Sequence, residues 1–303
     1  MGPARRLQWH LVRDPNGSVG LMFEGFEERD VDGIHLRVGG AGTPVLLLHG
    51  YPQMHVRWRH VAPVLVAAGH RVVCADLRGY GRSHTPPAGA GAEAYSKRTM
   101  ASELVAVMAM LGHERFAVAG HDRGGRIAYR MALDHPGRVA RLAVLDILPT
   151  IEQWDRLKGP AAVGAFHWTF LARPAPFPER LIGADPDYWL RTLCAGWSGG
   201  DLGLDEYVRA FTPDVIRASC DDYRAGAGID VAIDRADRDA GRRIACPTLV
   251  LWGERSLGQG TPLEVWQRWA DDVRGHGLPC GHFLPEEAPD DTASALRTFL
   301  AGA

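Results

Sequence analysis

Residues 116–126 read Phe-Ala-Val-Ala-Gly-His-Asp-Arg-Gly-Gly-Arg, an apolar run that ends in a glycine-flanked aspartate. Phe116–Ala119 is continuously apolar, as expected of a parallel strand covered on both faces. Gly120-His121-Asp122-Arg123-Gly124 has the Gly-x-nucleophile-x-Gly form of a sharp strand-to-helix turn, with Asp122 where serine is common. Such a turn lifts one side chain above the sheet at a helix N-terminus, where a carboxylate is favoured. The plainer alternative is that Asp122 caps the helix and the glycines only close the turn. An aspartate nucleophile attacks an sp³ carbon and forms an alkyl ester, whereas serine forms an acyl ester. The residue type therefore moves the expected chemistry from ester hydrolysis to carbon–halogen or epoxide cleavage.

The same rhythm repeats on either side. Val45–Leu48 runs into His49-Gly50, Val72–Ala75 into Asp76, Leu142–Leu145 into Asp146, and Leu249–Trp252 into Gly253. Helical patterns fill the gaps at about Val56–Ala68, Lys97–Leu111, Gly124–Asp134 and Pro262–Ala270. Phe26–Val31 and Ile34–Val38, around Asp32-Gly33, predict an antiparallel hairpin at a sheet edge. The alternation predicts an α/β fold: a mostly parallel central sheet with helices on both faces. Between Leu148 and Arg243 the rhythm gives way to a helical stretch rich in Trp and Pro, which predicts an inserted cap. The expected division is core 1–147, cap 148–243 and core 244–303.

Composition narrows the function classes. With 46% hydrophobic residues in 303, a large core is possible. Lys plus Arg is 34 against 36 Asp plus Glu, which argues against an electrostatic nucleic-acid binder. Five cysteines without a Cys-x-x-Cys pair suggest neither a zinc knuckle nor a disulfide framework. The absence of a long apolar run argues against membrane spans, and the polar start against a secretory signal, so a cytoplasmic protein is expected.

An ester on Asp122 needs a base to activate water. Gly281-His282-Phe283 follows a predicted last strand near Gly277–Cys280, and the order nucleophile, acid, histidine suits this fold. Two acids compete to orient His282: Asp146, at the end of its strand, and Glu254. Asp146 is preferred, because the positions after Glu254 that commonly carry the acid read Arg255, Ser256 and Leu257.

The chain resembles the dehalogenases of the α/β-hydrolase fold, most closely the fluoroacetate (haloacetate) dehalogenases. His49-Gly50-Tyr51-Pro52 and Asp76-Leu77-Arg78-Gly79-Tyr80-Gly81 are shared with epoxide hydrolases. The more specific pieces are Asp122-Arg123-Gly124-Gly125-Arg126 and His167-Trp168; Asp221-Asp222-Tyr223-Arg224-Ala225-Gly226 looks like the family's cap segment, and Gly281-His282-Phe283-Leu284-Pro285-Glu286-Glu287 also carries the resemblance. The resemblance implies Asp122 as nucleophile, His282 as base and Asp146 as its partner. It implies Arg123 and Arg126 as ligands of a substrate carboxylate, and His167, Trp168 and Tyr223 as donors to the departing halide. Trp197 would line the pocket, and Tyr51 stands where the family usually has Phe. The implied substrates are a small haloacid and water, with no metal or organic cofactor, and family members are commonly homodimers.

Elementary chemistry agrees with these assignments. Two guanidiniums three residues apart on a helix share a face and suit a carboxylate. The structural alternative has one arginine, Arg126 before Arg123, tying the helix to the cap. For His167, Trp168 and Tyr223 the alternative is aromatic packing. The rival activity is epoxide hydrolysis by the same Asp–His pair; haloalkane dehalogenation and a non-catalytic receptor fit less well.

Overall fold

The computed structural model describes residues 11–13, 19–21, 23–198, 202–257 and 261–302. After an antiparallel ribbon of β1 (Leu11–Arg13) and β2 (Val19–Leu21), the chain enters an eight-stranded sheet. Asp32 and Gly33 take left-handed φ values of 53° and 78°, as a tight hairpin turn demands. They join β3 (Glu27–Val31) to β4 (Ile34–Gly39) in the antiparallel pairing expected at that edge. The remaining strands are β5 (Thr43–Leu48), β6 (His70–Ala75), β7 (Phe116–His121), β8 (Val139–Leu145), β9 (Thr248–Gly253) and β10 (Val273–Leu278). Their order is β10-β9-β8-β7-β5-β6-β4-β3, parallel from β6 to β10. Val45–Leu48 has no exposed surface, as the continuous apolar run requires of a central strand.

Helices α1 (Ala62–Ala67), α2 (Lys97–Met110) and α3 (Arg123–Asp134) follow β5, β6 and β7. The helix predicted over Val56–Ala68 is broken into a 3₁₀ turn, His55–Trp58, and α1. Pro63 in the first turn of α1 lacks the N–H that a continuous helix would need. The last strand is also displaced from the predicted Gly277–Cys280. Pro279 cannot extend a ladder, and the edge position of β10 permits the alternating Val-Arg-Gly-His-Gly-Leu in place of a solid apolar run.

Between β8 and β9 the described chain is helical: α4 (Thr150–Arg156), α5 (Pro160–Gly164), α6 (Phe166–Leu171), α7 (Phe177–Ala184), α8 (Pro186–Trp197), α9 (Asp205–Ala210), α10 (Pro213–Ala227) and α11 (Ile229–Asp239). Three more, α12 (Thr261–Trp266), α13 (Leu284–Glu287) and α14 (Pro289–Leu300), close the chain. Among the described residues no helix is long and apolar enough to cross a membrane. The carboxyl ends of β5, β7, β8 and β9 lead into His49, Asp122, Asp146 and Glu254, so these loops gather at one sheet edge, the usual ligand side of an open α/β sheet.

Candidate active site

Asp122 sits at φ 47° and ψ −118°, a conformation that costs a non-glycine residue about 1–3 kcal/mol. Its surroundings explain the glycines. A Cβ on Gly50 would lie 2.4 Å from the Cβ of Asp122, and one on Gly120 2.4 Å from the Gly124 carbonyl oxygen. A Cβ on Gly124 would lie 2.3 Å from the His49 carbonyl oxygen. Asp122 stands at the N-cap position of α3, yet its side chain makes no capping bond. Instead the Tyr51 N–H donates to its Oδ1 at 2.8 Å. Burial would raise the carboxyl pKa, but His282, Arg123, Arg126 and the Tyr51 N–H outweigh it and hold the group below the ordinary range.

His282 Nδ1 donates to Asp146 Oδ2 at 2.5 Å. Asp146 also accepts the Gly253 N–H at 2.8 Å and the Ser256 hydroxyl at 2.6 Å. Of the two candidate acids, Asp146 meets His282, while Glu254 is exposed. The His282 backbone is pinned from two sides. Its N–H donates to the Trp197 carbonyl at 2.9 Å, and its own carbonyl accepts from His121 Nε2 at 2.8 Å. Burial and the neighbouring Arg57 keep the His121 pKa far below the usual value, so its ring is neutral. Arg57 donates to His121 Nδ1, which leaves Nε2 to carry the proton.

A cavity of about 560 Å³ is lined by Asp122, Asp146 and His282 together with Tyr51, Arg126, His167, Trp168, Trp197 and Tyr223. The rings of His167, Trp168 and Tyr223 meet edge to face, with centroids 6.5, 5.8 and 5.8 Å apart. Burial pushes the His167 pKa down to about 3 and raises the Tyr223 phenol well above its usual value, so both stay uncharged at neutral pH. The Tyr51 hydroxyl accepts from Trp189 Nε1 at 2.8 Å, which gives the extra oxygen at this position a partner on α8.

The two arginines separate. Arg126 lines the cavity, stacks over Trp168 at 4.4 Å and donates to the Leu148 carbonyl at 2.9 Å. Arg123, with no exposed surface, is not among the lining residues and is bound along one edge by Asp222 of α10. Both arginines thus join α3 to the chain that follows β8, Arg126 at Leu148 and Arg123 at Asp222. Arg123 Nη1 and Arg126 Nε are buried without a hydrogen-bond partner.

Three contributors escaped the sequence reading: Asp222, Ser256 and the Arg57–His121 pair. Helical phase held the clue to Asp222. Val215, Ser219, Asp222 and Gly226 form one buried stripe of α10, while Asp221 turns outward to Arg224. Among the described residues one cluster, His35, His55 and Asp76, has metal-ligand proximity. The Asp76 oxygens are already taken by the N–H groups of His55 and Arg82 and by the His55 ring, so the cluster locks a loop.

Comparison with known proteins shows the family. The alpha/beta hydrolase fold family matches residues 43–289. A fluoroacetate dehalogenase from Burkholderia sp is 46% identical, with the alignment spanning 93% of this chain and 96% of that one. A soluble epoxide hydrolase from Corynebacterium sp. (strain C12) is 34% identical over 88% of this chain and 93% of its own. The solved structure of a putative alpha/beta hydrolase from Nostoc sp PCC 7120 superposes with a TM-score of 0.89 at 47% identity, covering 93% of this chain and all of that one. The chain belongs to the α/β-hydrolase fold family.

Proposed function

We propose that this protein is a haloacetate dehalogenase, converting fluoroacetate and water to glycolate and fluoride. The observation that carries this is the single cavity where a strained, ionised Asp122 meets the His282–Asp146 pair, the Arg126 cation and three polar rings. The similarity to the Burkholderia fluoroacetate dehalogenase supports the same reading. Within the proposed division of core 1–147 and 244–303 and cap 148–243, the substrate lies between the two parts.

In this scheme the carboxylate of the haloacid docks on Arg126, which lines the cavity, and takes as its second cation Arg123, which lies outside that lining and offers its unpartnered Nη1. An Asp122 oxygen displaces halide from the α-carbon, forming an ester. The N–H and O–H groups of His167, Trp168 and Tyr223 receive the developing halide, the charge whose stabilisation a poor leaving group such as fluoride needs most. His282, oriented by Asp146, then takes a proton from water, which attacks the ester carbonyl carbon of Asp122. The Tyr51 N–H, already on Asp122 Oδ1, and the Arg123 N–H stabilise the tetrahedral oxyanion. Collapse breaks the bond to the substrate oxygen, which takes up the remaining water proton to leave as glycolate; the Asp122 carboxylate is regenerated and His282 loses its proton to solvent.

Epoxide hydrolysis is the second reading, because the phenols of Tyr223 and Tyr51 line the same cavity. Arg126 in that cavity and the partnered Tyr51 oxygen favour an anionic substrate. Incubation with fluoroacetate, chloroacetate and styrene oxide separates the two. Free fluoride supports the first reading; diol without halide release reverses the order.

A homodimer is part of the proposal. Val163, Phe166, Phe177, Leu181 and Tyr188 are 43–76% exposed on α5 to α8, an apolar surface that a second copy would cover. The cytoplasmic setting is supported by five cysteines with no disulfide among them.

A further inference from the structure

We infer that Asp222 is a positioning residue for carboxylate recognition, holding the Arg123 guanidinium so that its Nη1 edge is kept for the substrate. The inference rests on the proposed role of Arg123 and Arg126 as carboxylate ligands. A guanidinium carries five N–H groups in a rigid fork. Arg123 Nε donates to Asp222 Oδ2 at 2.8 Å, and Nη2 donates to Oδ1 at 2.9 Å and to the Asp222 carbonyl at 2.7 Å. The Tyr223 ring covers one face of the fork, 4.3 Å from Cζ to centroid. Edge and face are thus both fixed, and the buried Nη1 has no partner. Gly226 leaves the room for this, since a Cβ there would lie 3.1 Å from Nη2.

Asp222 is itself held on the core side. Tyr80 donates its hydroxyl to Oδ2 at 2.8 Å, and Lys97 pairs with Oδ1. Lys97 also reaches Asp230 at 3.6 Å, so two buried cations face two buried carboxylates. Arg123 also acts electrostatically on the nucleophile Asp122. A guanidinium released by Asp222 would be drawn toward Asp122, which would occupy the nucleophile and withdraw the fork from the substrate. Asp222 prevents this by saturating one edge of the fork.

The test compares the wild type with Asp222→Asn and with Lys97→Met/Asp222→Asn. For each, KM and kcat are measured with chloroacetate, the inhibition constant with acetate, and melting by circular dichroism. Asp222→Asn should raise both KM and the acetate inhibition constant about tenfold or more, with a smaller change in kcat. The double variant removes one charge of each sign. It should recover melting temperature while KM and the acetate constant stay high. Wild-type constants in Asp222→Asn overturn the inference, as does their return together with stability in the double variant. Failure of both variants to fold also overturns it, because the residue would then serve cap docking alone. A wild type that releases no chloride would instead refute the carboxylate reading itself, before Asp222 is at issue.

Discussion

A single carboxylate oxygen, Asp146 Oδ2, receives both His282 Nδ1 at 2.5 Å and the Ser256 hydroxyl at 2.6 Å. Ser256 lies where related folds commonly carry the acid, and here it supports the acid that β8 supplies. Asp146→Asn should keep the fold and the displacement step but cripple water activation. By analogy with other triads kcat should fall about 10⁴-fold. Rapid-quench assay should show one halide released per site, followed by near arrest. Steady turnover after the burst would remove Asp146 from the second step.

The three rings make a prediction about leaving groups. His167→Ala removes one donor from the proposed halide cradle, and fluoride needs such donors more than chloride does. Loss of one donor to developing charge costs about 10²–10³ in rate. Fluoroacetate turnover should fall by that order, and chloroacetate turnover by clearly less, in parallel kcat measurements. Equal losses would assign His167 to packing or to carboxylate binding.

Acid stability follows from buried neutral histidines. Burial holds His49 at about 4 and His167 at about 3, below the 6.5 of a free histidine. Between those values the unfolded chain binds protons that the folded chain does not, so stability falls as pH drops below about 6.5, by up to about 1.4 kcal/mol per pH unit for each histidine. The lowered carboxyls of Asp76 and Asp122 act in the same direction below about pH 4. Asp234, raised to about 6 by burial, works the other way between its two values. Urea unfolding at pH 7 and pH 5 should show the loss, and His167→Gln should make it shallower. An unchanged slope in that variant would mean His167 is protonated in the folded protein.

The exposed apolar residues of α5 to α8 predict association. Leu181, on α7, is 53% exposed. Leu181→Glu should convert a dimer to a monomer in light scattering, with the monomer retaining most of its thermal stability. An unchanged mass would place any dimer interface elsewhere.

What the sequence made legible follows from periodicity. Continuous apolar runs marked β5 to β9, and the glycine-flanked Asp122 marked the turn between β7 and α3. Position in the fold order picked out His282 and, among two acids, Asp146. Where local pattern and tertiary setting part, the sequence was opaque. Edge strand β10 needs no solid apolar run, and Pro63 broke a helix that hydrophobicity alone would continue. Asp221 and Asp222 are chemically alike; only the phase of α10 sends one to Arg224 and the other to Arg123. The two arginines are equally alike in sequence, and only the packed structure sends Arg123 to Asp222 and Arg126 to Leu148.

The transient ester on Asp122 is tested most directly by one turnover of chloroacetate in ¹⁸O-water with enzyme in excess. The account predicts unlabelled glycolate and ¹⁸O in the side chain of Asp122, read by peptide mass spectrometry. Labelled glycolate with an unlabelled Asp122 would mean that water attacks the substrate directly, and would contradict it.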